Sequence, residues 1–362
     1  MIYKYEDVRA IHLEITEKCQ AACPMCERNV HGGKDNPNLG MHELSLLDIQ
    51  TMMPPHFVKQ LERIYMCGNF GDPIVAKDTL EVFQYFRSQK RELTLGMNTN
   101  AGAKKPEWWR ELAKTLGNWS YVKFGFDGLA DTNHLYRQNV NWDIAWENAV
   151  AFIEAGGKAH WDYLIFEHNE HQVEEARALA EKTGFKKFIP KKTGRFFSTM
   201  RQVKKDEHQA QNRKGSETQL LQQPKEVKYQ NKALDKIKQI ETKHGSLEKY
   251  FDNVQISCKV AEEKNMYVSA EGLILPCCWV AGNMYKWWQK PGENQVWELL
   301  QQSGGKDEFN AKKHGIRYVL NNEYFSHRLV DSWSKPNTHA GKPMVCSQKC
   351  GKEFDAFAEQ FK

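Results

Sequence analysis

Three cysteines near the N-terminus, Cys19, Cys23 and Cys26, are set out as C-x3-C-x2-C directly after an apolar, strand-like stretch. An iron–sulfur cubane needs a ligand on each of its four irons, commonly four cysteine thiolates. Three protein thiolates with no fourth beside them leave one iron open, and an open position separates a catalytic metal site from a closed structural one. Three buried thiols, or thiols around a zinc ion, are the plainer alternatives. A second group, Cys258, Cys277, Cys278, Cys346 and Cys350, lies toward the C-terminus. Four of these would close a second cubane or a structural zinc site. The remaining cysteine, Cys67, reads as a small buried hydrophobe.

Polar residues of ligand-holding type follow the later strand-like stretches. Residues 67–73 form a glycine-rich turn in which backbone can approach a ligand closely, and the Asp72 carboxylate can meet an ammonium group. Asn98 and Asn100 come after the third stretch, Gly125 and Asp127 after the fourth with His134 and Arg137 beyond, and Asn169 after the fifth. An arginine such as Arg137 makes a forked, charge-assisted contact to a carboxylate. The tryptophan pairs at 108/109 and 287/288 read as packing or surface anchors, with substrate contact open for the second pair. His31, His42 and His56 read as solvated.

These motifs need elements to position them. Strand-like segments at 8–15, 62–67, 92–98, 121–126, 160–166 and 186–190 alternate with amphipathic stretches. In one stretch Trp142, Trp146, Ala149 and Ile153 share a helical face behind an Asn141 cap; in another Val173, Ala176, Leu179 and Ala180 do so before Gly184. Six βα units in series imply a parallel sheet, open or curled into a partial barrel, with function at the carboxyl ends of its strands. The first three cysteines follow the first strand. Residues 201–246, rich in Lys, Gln and Glu, read as a solvated linker with one short helix, Leu234, Ile237 and Ile240 on one side and Gly245 as its stop. A substrate-capping element is the alternative for this stretch. The expected division is 1–200, a linker over 201–246, and a smaller cysteine-rich domain over 247–362.

The chain's 362 residues suffice for about two domains. A content of 40% hydrophobic and 27% charged residues is ordinary for a soluble globular protein. With 51 basic against 46 acidic residues, the net charge of +5 sits on a mixed surface, which argues against a nucleic-acid partner. The longest strongly apolar stretch, 272–282, is too short to cross a bilayer, and the first residues lack the layout of a signal peptide. Nine cysteines in such a chain read as metal ligands rather than disulfides, and point to a reducing, cytoplasmic setting.

The C-x3-C-x2-C loop is similar to the cluster loop of the radical S-adenosylmethionine (radical SAM) enzymes. The turn ending Gly71-Asp72-Pro73 resembles their GGEP motif, with Asp72 where Glu is usual, and residues 98–102 resemble their strand-three TNG element. Residues 124–137 resemble an S-x-D-G…H…R pattern of peptide-modifying and sulfatase-maturing members, with Gly125 in place of serine. Cys258, the G-x4-C run from Gly272 to Cys277, and the Cys346/Cys350 pair resemble the twitch domain, a shortened relative of the SPASM domain. The resemblance covers about 8–195 and 246–362.

It implies an α/β fold, a partial (β/α)6 TIM-like barrel with a smaller C-terminal twitch domain. It implies a SAM-binding 4Fe–4S cluster on Cys19, Cys23 and Cys26, and SAM contacts from Met25, Gly71, Asp72, Pro73, Asn98, Asn100, Arg137 and Asn169. An auxiliary 4Fe–4S cluster would sit on Cys258, Cys277, Cys346 and Cys350, with Cys278 an adjacent alternative to Cys277. The implied activity is reductive cleavage of SAM to a 5′-deoxyadenosyl radical that abstracts hydrogen from a substrate carbon. The auxiliary cluster would assist oxidation of a peptide or protein side chain, with a flavodoxin or ferredoxin as reducing partner and Asp127 as one candidate base among several. A dehydrogenase or epimerase of a small molecule or peptide would use the same core, Cys67 or Cys278 serving an epimerase as hydrogen donor. From a different class, a zinc-stabilised protein binding RNA or a partner is the alternative.

Overall fold

Six parallel strands lie side by side in chain order in the computed structural model, which describes residues 2–198 and 203–355. They are β1 (Ala10–Leu13), β2 (Arg63–Met66), β3 (Thr94–Thr99), β4 (Tyr121–Gly125), β5 (Ala159–Ile165) and β6 (Lys187–Lys192). Helices cover the outer face, and the aromatic residues between sheet and helices form the core. Trp109, Phe124, Phe152 and Trp161 are fully buried, with ring centroids 5.6 Å apart for Trp109 and Phe124 and 5.7 Å for Phe124 and Phe152. Burying a side chain of this size contributes about 1.5–3 kcal/mol before its lost rotamer entropy. Trp109 is therefore packing, whereas Trp108 is half-buried under Lys104.

Asn141 caps the helix Trp142–Glu154, accepting from Ile144 N at 3.1 Å, and Gly184 ends Val173–Thr183 in a left-handed C-cap. The buried stripe of the first helix runs through Ala145, Asn148, Ala149 and Phe152, so its centre is shifted from the expected face. Trp142 and Trp146 stack on each other, centroids 5.2 Å apart, at the edge of that stripe.

Residues 201–246 hold more structure than a linker with one helix. β7 (Phe197–Ser198) pairs with β8 (Val203–Lys204), and β9 (Glu207–Gln211) with β10 (Glu217–Gln222), each antiparallel. The β9–β10 hairpin lies against the loop after β1: Gln211 N donates to His31 O at 2.8 Å, and Arg213 Nη2 to Ala21 O at 3.0 Å. Its inward positions, His208 and Ala210, are too weakly apolar to show a two-residue period in the sequence. The helix Lys232–His244 buries Leu234, Ile237 and Ile240 and is capped by Gly245, as its spacing predicts.

The C-terminal segment returns to the main sheet. β11 (Asn265–Val268) pairs in parallel with β1, Ala10 opposite Asn265 and Leu13 opposite Val268, and β12 (Ile274–Leu275) closes antiparallel on β11. The sheet thus has eight strands rather than six, in the order β12-β11-β1-β2-β3-β4-β5-β6. The outer edge of β1 would otherwise present unpaired N–H and C=O groups, and β11 takes them up. The architecture is a partial (β/α)6 barrel extended by a C-terminal unit. The expected boundary at 200/201 and the last residues of the expected C-terminal domain, 356–362, lie outside the described residues. Among the described residues no helix is long and apolar enough to cross a membrane.

Candidate active site at the mouth of the barrel

The carboxyl ends of β2 to β5 open into a cavity of about 1020 Å³. Cys19, Cys23 and Cys26 all line it, brought there by the loop that leaves β1. The Cys26 amide donates to Cys23 O at 3.1 Å, a tight turn that places both thiols on one wall. Three arginines and a histidine fix this loop. Arg28, itself buried, donates from Nε to Glu17 O at 3.0 Å, Arg195 Nη1 to Met25 O at 2.8 Å, and Arg213 Nη1 to Asn29 Oδ1 at 2.9 Å, while His208 Nε2 lies 3.2 Å from Pro24 O. Burial pushes the Cys23 thiol up to about 11, with the Arg137 guanidinium pulling against it. Burial first, then the Asp72 carboxylate, raises Cys19 further. Metal binding to these thiols must therefore release protons.

Glycines in the 67–73 turn allow a close approach. A β-carbon on Gly71 would overlap the Thr16 carbonyl. The turn is pinned by buried Glu14, whose Oε1 accepts from Phe70 N at 2.7 Å and Gly71 N at 3.2 Å and whose Oε2 accepts from the Tyr267 hydroxyl. Burial raises the Glu14 carboxyl to about 7 against those three hydrogen bonds. The turn delivers Asp72 to the cavity wall. Its Oδ2 accepts from Asn100 N at 2.8 Å and Asn100 Nδ2 at 2.6 Å, and its Oδ1 accepts from Ile74 N at 3.2 Å. Asn100 Oδ1 accepts from Gln20 Nε2 at 2.6 Å, and Asn100 Nδ2 lies 3.7 Å from Cys19 Sγ. The glycine-rich turn, the third strand and the cysteine loop are thus tied together.

Arg137 completes the wall. Its Nε donates to Asp127 Oδ2 at 2.6 Å and its Nη1 lies 3.9 Å from Cys23 Sγ. Asp127 is fully buried and also lines the cavity; its Oδ1 accepts from Leu164 N at 2.7 Å, so both its oxygens are hydrogen-bonded. Met25, Gly71, Asp72, Asn98, Asn100 and Arg137 all line the cavity; Pro73 and Asn169 are not among its lining residues. Pro73 opens a short 3-10 turn, and the fully buried Asn169 uses its amide on Phe166 N, Asp127 O and Leu164 O, holding the β5 loop.

The second cysteine group separates in two. Cys258, Cys277, Cys346 and Cys350 line one small pocket whose other walls include Val260, Pro276, Leu329 and Trp333. Cys346 and Cys350 sit one turn apart on the helix Met344–Cys350, and Cys277 Sγ accepts from Val280 N at 3.5 Å. Cys278 is not part of that pocket; it lines the large cavity together with Cys67. Lys349 lines both, and burial lowers it to about 8.

Trp288 also lines the cavity, beneath Lys286, whereas His31 packs between His208 and Trp287 rather than in solvent. His42 is exposed but donates to buried Glu17, and exposed His56 lies 3.2 Å from the Tyr5 hydroxyl. Sequence reasoning missed Glu14, Gln20, Lys123, Asp162, Lys191 and Arg195. The signal was charge at alternate positions of otherwise apolar strands, as at Lys123 and Asp162.

No family model matches the chain, and no curated protein matches it. Solved structures do. Streptococcus suis SuiB bound to S-adenosylmethionine shares 14% identity, with 94% of this chain and 77% of that one covered and a TM-score of 0.51. SuiB bound to its precursor peptide SuiA gives 14% identity, 94% and 76% coverage, and a TM-score of 0.51. The anSMEcpe structure with bound AdoMet and Cp18Cys peptide gives 14% identity, 97% and 92% coverage, and a TM-score of 0.50.

The fold is that of the radical SAM enzymes. Across that radical SAM fold this chain carries its three-cysteine loop and its Asp72–Asn100 pair on the wall of one cavity.

Proposed function

We propose that the protein is a radical SAM enzyme acting on a peptide or protein side chain. The observation that carries this reading is the meeting of Cys19, Cys23, Cys26, Asp72, Asn100 and Arg137, which follow four separate strands, around one cavity. The donor sets fit the groups they would hold: three thiols beside an open cavity for a cluster with one free iron, and four thiols in a small enclosed pocket for a closed auxiliary cluster. When bound, the first cluster and SAM supply a 5′-deoxyadenosyl radical for hydrogen abstraction, and the auxiliary cluster supplies an acceptor for the electron left on the substrate.

The chain's own residues do the rest. Asp72, steadied by Asn100, would hold the SAM ammonium group, and Arg137, held by Asp127, would hold the SAM carboxylate. Backbone at Met25 and side chains at Asn98 and Asn100 line the space beside it. The β9–β10 hairpin braces the cysteine loop through Arg213 and Gln211. A peptide substrate is favoured because SuiB and anSMEcpe, which share the fold, hold peptides. A flavodoxin or ferredoxin is the proposed electron source, in the cytoplasm.

The test is anaerobic reconstitution with iron and sulfide. About 8 irons with matching sulfide per chain, falling to about 4 in a Cys19/Cys23/Cys26 triple alanine variant, supports two cubanes. Zinc without sulfide contradicts the reading. An epimerase is the second reading, favoured by the two unassigned thiols of Cys67 and Cys278 in the cavity. Solvent deuterium in the product, lost on replacing one of them by alanine, would select it.

A further inference from the structure

Two charged groups in the large cavity take no part in the arrangement above. Lys123 on β4 and Asp162 on β5 both line it, as diagonal neighbours across a ladder in which Lys123 pairs with His160 and Gly125 with Asp162. Asp162 is 8% exposed; its Oδ2 accepts from Lys191 Nζ, and its Oδ1 is buried with no hydrogen-bond partner. A buried carboxylate oxygen left unpaired is costly, and marks a place that a ligand would complete. Lys123 makes no ion pair among the described residues; its Nζ sits 5.7 Å from the centre of the Tyr121 ring.

We propose that Asp162 and Lys123 seat a neutral hydroxyl of the substrate, which donates to Asp162 Oδ1 and accepts from Lys123 Nζ. A carboxylate placed there would meet the unpaired oxygen of Asp162, and an ammonium group would meet Lys123. A methyl group would leave both charges without partners. A group with one donor and one acceptor satisfies both, and a hydroxyl is the smallest of these. The seat opens on the cavity that Cys19 and Asp72 line, so the substrate group it holds faces the proposed SAM site. The inference rests on the proposed function for the substrate being a peptide.

The test is calorimetric titration of the reconstituted protein, with SAM and without reductant, using acetyl-Gly-Gly-X-Gly-Gly-amide peptides in which X is serine, alanine, asparagine, aspartate or lysine. The serine peptide is expected to bind about tenfold more tightly than the alanine peptide, with the aspartate and lysine peptides no tighter than alanine. Asp162→Asn, which keeps the side-chain shape, and Lys123→Met should each abolish the serine preference, and Lys123→Arg should keep it. Equal affinities, no binding of the serine peptide, tightest binding of any other peptide, or a preference that survives Asp162→Asn and Lys123→Met would overturn the proposal. The readout needs no turnover, so a protein that fails to cleave SAM refutes the enzyme reading separately from the peptide ranking.

Discussion

The Arg137 guanidinium lies against the bare Cα of Gly125, where a β-carbon would come within 2.5 Å of its Nη2. The glycine that stands in place of the resembled serine is thus a condition for the arginine's position between Asp127 and Cys23. Gly125→Ser should displace Arg137 and weaken SAM binding about tenfold, as Arg137→Ala should, and the double variant should be no weaker than either alone. Calorimetry on the three proteins checks this, and additive losses would show that the two residues act separately.

Asp72 is the carboxylate proposed to meet the SAM ammonium group, and Asn100 holds it with two hydrogen bonds of 2.8 and 2.6 Å. Asp72→Asn should weaken SAM about 10- to 100-fold while iron content stays that of the wild type. Asn100→Ala should have a smaller effect in the same direction, since it loosens the carboxylate without removing its charge. Unchanged SAM affinity in Asp72→Asn would remove Asp72 from the site.

Much of this site is legible in the sequence because its elements are strand-end motifs in order: the cysteine loop, the 67–73 turn, Asn98 and Asn100, and Arg137. Asn169, which does not line the cavity, shows that a conspicuous polar residue after a strand can equally serve the backbone around it, as its three hydrogen bonds do. β11 and the β9–β10 hairpin were hidden for other reasons. A four-residue strand such as β11 is too short to show a period, and its partner β1 lies more than 250 residues away in sequence. The inward residues of β9, His208 and Ala210, lack the apolar contrast that marks a strand.

Glu14 gives a pH dependence of stability. Folded, its carboxyl keeps its proton up to about pH 7, whereas an unfolded glutamate loses it near 4.5. Between those values the folded state binds more protons, so stability falls as pH rises; the contribution is full below about 4.5 and gone above about 7. Relative to Glu14→Gln, the wild type should lose about 3 kcal/mol across that window in urea unfolding. Parallel pH profiles for the two proteins would contradict the buried, protonated state.

Adjacent Cys277 and Cys278 should behave differently, because one lines the four-cysteine pocket and the other the large cavity. Cys277→Ala should cost about 4 irons per chain and Cys278→Ala none, as read by iron and sulfide analysis after reconstitution. Equal losses would place both thiols at the auxiliary site.

The most direct measurement is the formation of 5′-deoxyadenosine when the reconstituted protein meets SAM and dithionite without oxygen. The account predicts 5′-deoxyadenosine and methionine in equal amounts from the wild type and none from the Cys19/Cys23/Cys26 triple alanine variant. A wild type that binds a full complement of iron yet leaves SAM intact, or a triple variant that still cleaves it, would contradict it.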